Sequence, residues 1–382
     1  MGDFLDFFRK TWAEIDISAL KHNIKSIKAL TSNCKFTAVV KANAYGHTVE
    51  ALCPYLNEEN AISFFAVSSL TEAIELRNIK VTKPILILGY TPPSAADSLY
   101  KNDIIQAVFS KEYAAELNDA AKDLGIRIKV HIKLDTGMGR LGFDCRSDEL
   151  KGLSDALAAA KLDSFEVLGV FTHFAESDRT SDSDDGFTDS QHDRFIKAVS
   201  VFKSEGFDNL ICHSSNSAAT LIDDDKYDNL VRVGIALYGL SPNPELELKA
   251  DLKPVMSLKT VVTMVKEIDC GDTVSYGRTF KAEKKMKIAT LAAGYADGYP
   301  RFLSNKGYVL INGQRANIVG RVCMDQMCVD VTDLENVSQG DEVLLFGKDL
   351  SVDTLAKIGD TINYEIVCGV SKRVPRITVN ND

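Results

Sequence analysis

Through roughly residue 245 the chain alternates short apolar runs with stretches of helical period. The runs are Phe36–Lys41, Phe64–Val67, Ile85–Leu88, Ile104–Phe109, Ile128–Leu134, Val167–Thr172, Leu210–Cys212 and Leu230–Ala236. A typical helical stretch follows Ser18, a candidate N-cap, with Leu20, Ile24, Ile27 and Leu30 on one stripe. Eight strands, each followed by a helix, predict a TIM-type (β/α)8 barrel, an α/β fold; an open doubly wound sheet is the alternative.

After about Leu252 the period changes. Val255–Val265, Lys287–Leu291, Tyr308–Ile311, Arg315–Val319, Met327–Val331 and Glu342–Phe346 read as strands with few helices between them. Asn312-Gly313 between two apolar runs is a hairpin signal. The pattern predicts a barrel over 12–248, then a mostly β C-terminal domain over 249–382, with residues 1–11 packing on the latter. Ser241-Pro242-Asn243-Pro244 marks the linker region, and the polar stretch Ser177–Asp189 reads as a solvated loop after the sixth strand.

Composition narrows the class of protein. The chain has 382 residues, 45% of them hydrophobic and 26% charged, enough apolar material for two cores. Its net charge of -10 argues against nucleic acid or an anionic membrane as partner. No apolar run reaches the ~20 residues of a membrane helix. The first ten residues mix acids with aromatics and lack the order of a signal peptide. The eight cysteines are scattered, and Cys323 and Cys328 have no zinc-type spacing. These features point to reduced thiols, no metal and a cytoplasmic location.

In a barrel of this type the chemistry sits at the C-terminal ends of the strands. There the first strand delivers Lys41, with Tyr45 close behind. A lysine at the end of a buried strand can lose solvation and act as a Schiff-base amine or general base, although a surface cap is the plainer reading of that segment alone. The fifth strand ends in Lys133-Leu134-Asp135-Thr136-Gly137-Met138-Gly139-Arg140, the sixth in Thr172-His173-Phe174. The seventh gives His213-Ser214-Ser215-Asn216-Ser217 and the eighth Arg232-Val233-Gly234-Ile235. Loops after the last two strands commonly bind phosphate, a role that suits Ser217 with the Gly234 and Ile235 amides. Each residue alone is a weak signal. Together on one rim they point to a phosphorylated aldehyde held as an imine, and pyridoxal 5′-phosphate is the common cofactor of that kind.

From about Trp12 to Arg376 the chain resembles bacterial alanine racemases. The resemblance is carried by Val39–His47, Lys133–Gly142, Thr172–Phe174, His213–Ala218, Val231–Leu240, Val274–Thr279, Gly294–Arg301, Val319–Gln326 and Thr361–Glu365. It implies a pyridoxal-phosphate-dependent racemase that interconverts L- and D-alanine with two bases and supplies D-alanine for peptidoglycan. Lys41 then resembles the cofactor lysine and one base, and Tyr276 the second base, contributed in that family by the partner subunit of a homodimer. An unperturbed tyrosine has a pKa of about 10, so ionising it near neutrality costs about 4 kcal/mol. Cations at Arg232 with His173 are expected to offset part of that.

The same resemblance places Arg232 against the pyridine nitrogen. A guanidinium keeps its proton, which weakens the ring as an electron sink and suppresses transamination. Arg140 matches a contact to the cofactor phenolic oxygen and the substrate carboxylate, and the Met324 N–H a second carboxylate contact. Lys133 matches a lysine often carbamylated in the family. Tyr45, Ser217, Gly234, Ile235 and Tyr364 match phosphate contacts, while His173 joins the cofactor-binding set. Tyr364 beside Ile362 implies an entrance sized for a methyl group. Tyr295, Arg301, Asp178 and Arg321 resemble a polar gate, or plain interface hydrogen bonds. Thr48 departs from the pattern: the family usually has glycine there, so a slight shift of Tyr45 without loss of activity is expected.

Three other readings compete. One is a serine or broad-specificity racemase of the same fold. Another is a barrel-fold decarboxylase, which usually shows Gly-Pro-x-Cys and an acidic nitrogen partner, neither present here. The last is a pyridoxal-phosphate carrier, which resembles the barrel alone.

Overall fold

The computed structural model describes residues 8–31, 34–180, 185–222 and 226–380. They form two compact units. One comprises His22–Ala44 and Leu52–Leu252; the other takes in residues 8–21, Tyr45–Ala51 and the chain from Lys253 onward.

The first strand of the chain, β1 (Thr11–Asp16), belongs to the second of these units. It alternates buried and half-buried residues, the pattern of a strand covered on one face. The barrel expected to begin at residue 12 begins later, because β1 places its backbone hydrogen bonds in the other unit's sheet. The helix after it, Ile17–Leu30, is capped by Asp16 rather than Ser18: Asp16 Oδ1 accepts from the Ser18 and Ala19 amides at 2.9 and 3.1 Å. A carboxylate there also meets the positive end of the helix dipole.

The barrel strands are β2 (Lys35–Val39), β3 (Ile62–Val67), β4 (Ile85–Ile87), β5 (Ile104–Val108), β6 (Ile128–Asp135), β8 (Phe165–Phe171), β9 (Ile211–His213) and β10 (Leu230–Val233). A two-residue strand, β7 (Phe143–Asp144), pairs with β6 off the main path. The parallel order is β10-β2-β3-β4-β5-β6-β8-β9, a nearly closed eight-stranded sheet. Backbone bonds from Asn229 N to Cys212 O and from Arg232 N to Ser215 O, each 3.1 Å, bridge the seam. All eight apolar runs of the first half thus become barrel strands. Central strands such as β5 are buried along their whole length, which is why they read as continuous rather than alternating runs. Helix Phe187–Ser204 begins inside the stretch expected to be a loop. Residues 181–184 of that stretch lie outside the described residues, and Ser177 is buried with its hydroxyl 2.9 Å from Asn216 Oδ1.

The second unit holds β11 (Met256–Ile268), β12 (Thr273–Val274), β13 (Phe280–Lys281), β14 (Met286–Leu291), β15 (Tyr308–Ile311), β16 (Gln314–Val319), β17 (Met327–Asp330), β18 (Glu342–Phe346) and β19 (Arg376–Val379). Its sheet runs β14-β17-β16-β15-β18-β11-β1-β19, and β14 also pairs with β11, closing a six-stranded ring. A bulge in β11 between Val262 and Met264 bends the strand between its partners. The Asn312-Gly313 turn is the expected hairpin: both residues have positive φ, and Ile311 faces Gln314 across it. Helices Val352–Ile358 and Asn363–Cys368 are additions to the expected pattern.

Candidate active site

After β2 the backbone turns the wrong way for L-residues. Ala42, Asn43, Ala44 and Tyr45 all lie in the left-handed helical region, with φ between 52 and 54°. Each such non-glycine residue costs about 1–2 kcal/mol relative to right-handed backbone. The turn starts where Val40 N makes a 2.9 Å ladder bond to Ala66 O, and the Ala44 amide closes back on Val40 O at 2.9 Å. Lys41 sits at its head. Further on, Thr48 is also left-handed (φ 73°), so the usual glycine at this place has a conformational reason; the Thr48 hydroxyl donates to the Glu50 carboxylate.

Lys41 lines an open cleft together with Lys133, Arg140, Phe171, His173 and Arg232. Five of the expected site residues therefore share one cavity at the strand ends. The loop that carries Arg140 is shaped by Asp135, whose carboxylate accepts from the Gly137 and Gly139 amides at 3.1 and 3.0 Å. Gly142 closes the loop at φ 136°, where a side chain would run into the Asp135 amide.

The cleft concentrates positive charge. Burial, then Arg140 and Arg232, push the Lys133 ammonium down to about 8, with Asp135 opposing. Arg232 is fully buried and lowered to about 10 by desolvation, so it stays protonated at neutral pH. Its guanidinium is held on four sides. Nη1 donates to His213 Nδ1 at 2.8 Å, and Nη2 reaches the Thr172 and Ser214 carbonyls at 2.9 and 2.8 Å and His173 Nδ1 at 3.2 Å.

An arginine can only donate, which fixes the histidine tautomers behind it. His173 and His213 both accept at Nδ1 and so carry their protons on Nε2. His213 Nε2 then meets His131 Nδ1 at 2.8 Å, and His131 in turn holds its proton on Nε2. Burial and the Arg232 charge keep all three rings neutral: His131 falls to about 3, the other two well below the usual imidazole range. His173 is thus a polar neighbour of Arg232 and not the second cation expected. His131 is not among the rim residues the sequence singles out, and His213, on the rim at the end of the seventh run, is given no role there. The alternation His131–Lys133 on β6 carries the signal, since residues two apart share a strand face. Phe171 completes the wall, stacked on His213 with centroids 4.7 Å apart and planes at 4°.

At the ends of β9 and β10, Ser217 Oγ accepts from the Gly234 amide at 2.8 Å, leaving its own proton for another acceptor. Ile235 follows in a short 3-10 turn. Asp178 is exposed in the barrel unit.

The remaining expected residues lie in the second unit. The Tyr45 and Tyr364 rings are 6.1 Å apart, and burial, with Tyr364 beside it, pushes the Tyr45 phenol far above its ordinary value. Tyr276 follows β12 and is 74% exposed. Its neighbour Ser275 donates to Arg321 O at 2.8 Å and lies 3.3 Å from Cys323 Sγ, tying this turn to the loop of the exposed Met324. That loop also holds the next segment, with Tyr295 N and Ala296 N donating to Cys323 O and Met324 O. Arg301 is exposed on the following turn. Among the described residues no cluster of three His, Cys, Asp or Glu could hold a metal, and no helix is long and apolar enough to cross a membrane.

A barrel with a lysine-bearing cationic cleft, followed by a mostly β domain, defines a particular class of enzyme. Residues 15–242 match the family model described as alanine racemase, N-terminal domain, and residues 255–378 the one described as its C-terminal domain. The chain belongs to the alanine racemase family, an isomerase family. An alanine racemase of Clostridium perfringens is 46% identical over 98% of this chain and 96% of its own. One from Desulfovibrio desulfuricans is 45% identical over 98% and 100%. A solved alanine racemase of Clostridium difficile superposes with a TM-score of 0.91 at 37% identity, over 98% of this chain and 97% of the other. The Bacillus anthracis alanine racemase with bound L-Ala-P gives 0.89 at 39%, over 98% and 96%. The likeness runs through both domains, unlike that expected of a barrel-only carrier.

Proposed function

We propose that this protein interconverts L- and D-alanine, with pyridoxal 5′-phosphate held at Lys41. The observation that carries the reading is that Lys41 shares its cleft with a fully buried, protonated Arg232. The donor set fits the cofactor: an amine for the aldehyde, a guanidinium for the ring nitrogen, and for the phosphate the Ser217 hydroxyl, whose oxygen accepts from the Gly234 amide and whose proton stays available, with the Ile235 amide beside it. Tyr45 and Tyr364 join the phosphate contacts. When bound, the cofactor supplies an electron sink for the pair left on the substrate Cα.

The protein supplies orientation and protons. Arg140 and the Met324 amide hold the substrate carboxylate. Arg232 donates hydrogen bonds but keeps its protons, so the sink stays weak and protonation returns to Cα. An acidic partner, as in the barrel decarboxylases, would strengthen the sink. The Lys41 amine moves the proton on one face of Cα. Tyr276 moves it on the other, reaching the cleft from a second copy in a homodimer. The site provides D-alanine for peptidoglycan in the cytoplasm. Comparing kcat/KM for alanine, serine and lysine tests the substrate. Alanine is expected to lead serine by about tenfold or more, the discrimination a close apolar fit allows; equal or faster turnover of serine contradicts the reading.

Lys133 is the proposed carbamylation site. A neutral amine adds carbon dioxide and releases a proton, and the resulting anion turns repulsion from Arg140 and Arg232 into attraction. Unmodified Lys133 has a folded pKa near 8 against an ordinary 10.5. Below both values its burial penalty is present in full. Between them the unfolded chain holds a proton the folded chain lacks, so stability rises with pH, by about 3 kcal/mol across the window. Urea melts in carbonate-free buffer are expected to show this rise, and Lys133→Met or added bicarbonate to flatten it. A flat profile without bicarbonate contradicts the assignment.

A further inference from the structure

The left-handed turn behind Lys41 is strained, and its brace is a residue outside the site described above. Helix Leu70–Asn78 is capped by Ser69, whose side chain accepts from the Glu72 amide. Glu72 is therefore at the third helical position, where a carboxylate ordinarily folds back onto the amide of its own cap. Here it reaches outward. Oε1 accepts from the Ala42 amide at 2.8 Å and Oε2 from the Ser68 amide at 2.7 Å. Ala42 is the first left-handed residue after Lys41, and Ser68 lines the same cleft at the end of β3.

We infer that Glu72 is a positioning residue: its carboxylate staples the ends of β2 and β3 together and holds the left-handed turn that aims Lys41. The link to catalysis rests on Lys41 being the cofactor lysine. The physical case is direct. Left-handed backbone at Ala42 is unfavourable, and a charge-assisted bond to that residue's amide fixes the Lys41–Ala42 peptide plane from which the turn sets off, with the next anchor at the Ala44 amide on Val40 O. A single carboxylate with both oxygens committed to amides from two strand ends fixes their spacing. Glutamine presents one acceptor oxygen and an NH2 group, so it cannot satisfy both amides.

The experiment combines hydrogen exchange with a rescue in the full-length protein. In Glu72→Ala, exchange of the Ala42–Ala44 amides is expected to speed up by about tenfold or more, the loss of one charge-assisted bond, with helix 187–204 unchanged. Dissociation of pyridoxal phosphate, read from the absorbance of the bound cofactor, is expected to rise about tenfold, and Glu72→Gln to fall between. Adding Ala42→Gly removes the penalty for left-handed backbone and is expected to recover about fivefold of the lost affinity. Unchanged exchange at 42–44, or no recovery by Ala42→Gly, overturns the proposal by reducing Glu72 to an ordinary helix-end residue. A Lys41→Ala protein that binds the cofactor as tightly as wild type marks failure of the cofactor assignment instead, and leaves the exchange result to judge the staple.

Discussion

Lys41→Ala is expected to abolish racemisation in both directions, a loss of more than about 10⁴ in kcat, because it removes cofactor tether and base together. Ordinary damage to the fold does not account for such a loss. Lys41 is half-exposed at the head of its turn, and Val40 and Ala66 hold the preceding backbone through their own ladder bond. Truncation at Cβ leaves that backbone intact. Its melting temperature without cofactor is expected to match wild type, while the protein no longer retains the yellow cofactor through gel filtration. Retained cofactor with retained turnover would place the tether elsewhere, and Lys133 is the other lysine in the cleft.

Tyr276→Phe is the second large effect. Removing one hydroxyl from an exposed side chain has almost no consequence for stability. On the proposed dimer it removes the proton carrier for one face of Cα, so L-to-D turnover is expected to fall by about 10³, within the usual range for a general base. D-to-L turnover falls alike, since the enantiomers have equal free energy, but the loss of α-proton exchange is one-sided. In D2O the enantiomer whose α-proton faces Lys41 still exchanges that proton without inverting, and its mirror image does not. Such a split separates a missing base from a distorted site, which would slow both exchanges alike. On this account the phenol gives up and takes back that proton beside a cationic cleft. His173 cannot help by charge, since burial keeps it neutral beside Arg232. Arg232 and Arg140 are the guanidinium cations that line the cleft.

Much of this is legible in the residues. The eight apolar runs name the barrel strands because fully buried parallel strands are apolar on both faces. The rim residues follow from the rule that barrel chemistry sits at strand ends. Where pattern fails, pairing or backbone geometry decides. Alternation over Thr11–Asp16 announces a strand but not its partners, which are β11 through the Ala13–Leu258 register and β19 through Ala13–Arg376. Ala42-Asn43-Ala44-Tyr45 contains no glycine, so local preference argues for a right-handed turn; the chain is left-handed there all the same, with the Ala42 amide bonded to Glu72 and the Ala44 amide to Val40 O. The Arg232–His213–His131 chain joins β10, β9 and β6, which are remote in sequence. Each histidine alone looks like a structural hydrogen-bonder, and only the closed sheet brings the rings together.

The central claim is that one site needs Lys41 from one copy and Tyr276 from another. Mixing inactive Lys41→Ala with inactive Tyr276→Phe, after mild dissociation and reassociation, tests it most directly. Random pairing makes half the dimers mixed, each with one intact site and one doubly damaged, so about a quarter of wild-type activity is expected to return. A mixture that pairs, as shown by mass-tagged subunits, and yet stays as inactive as its parents would contradict the shared two-base site.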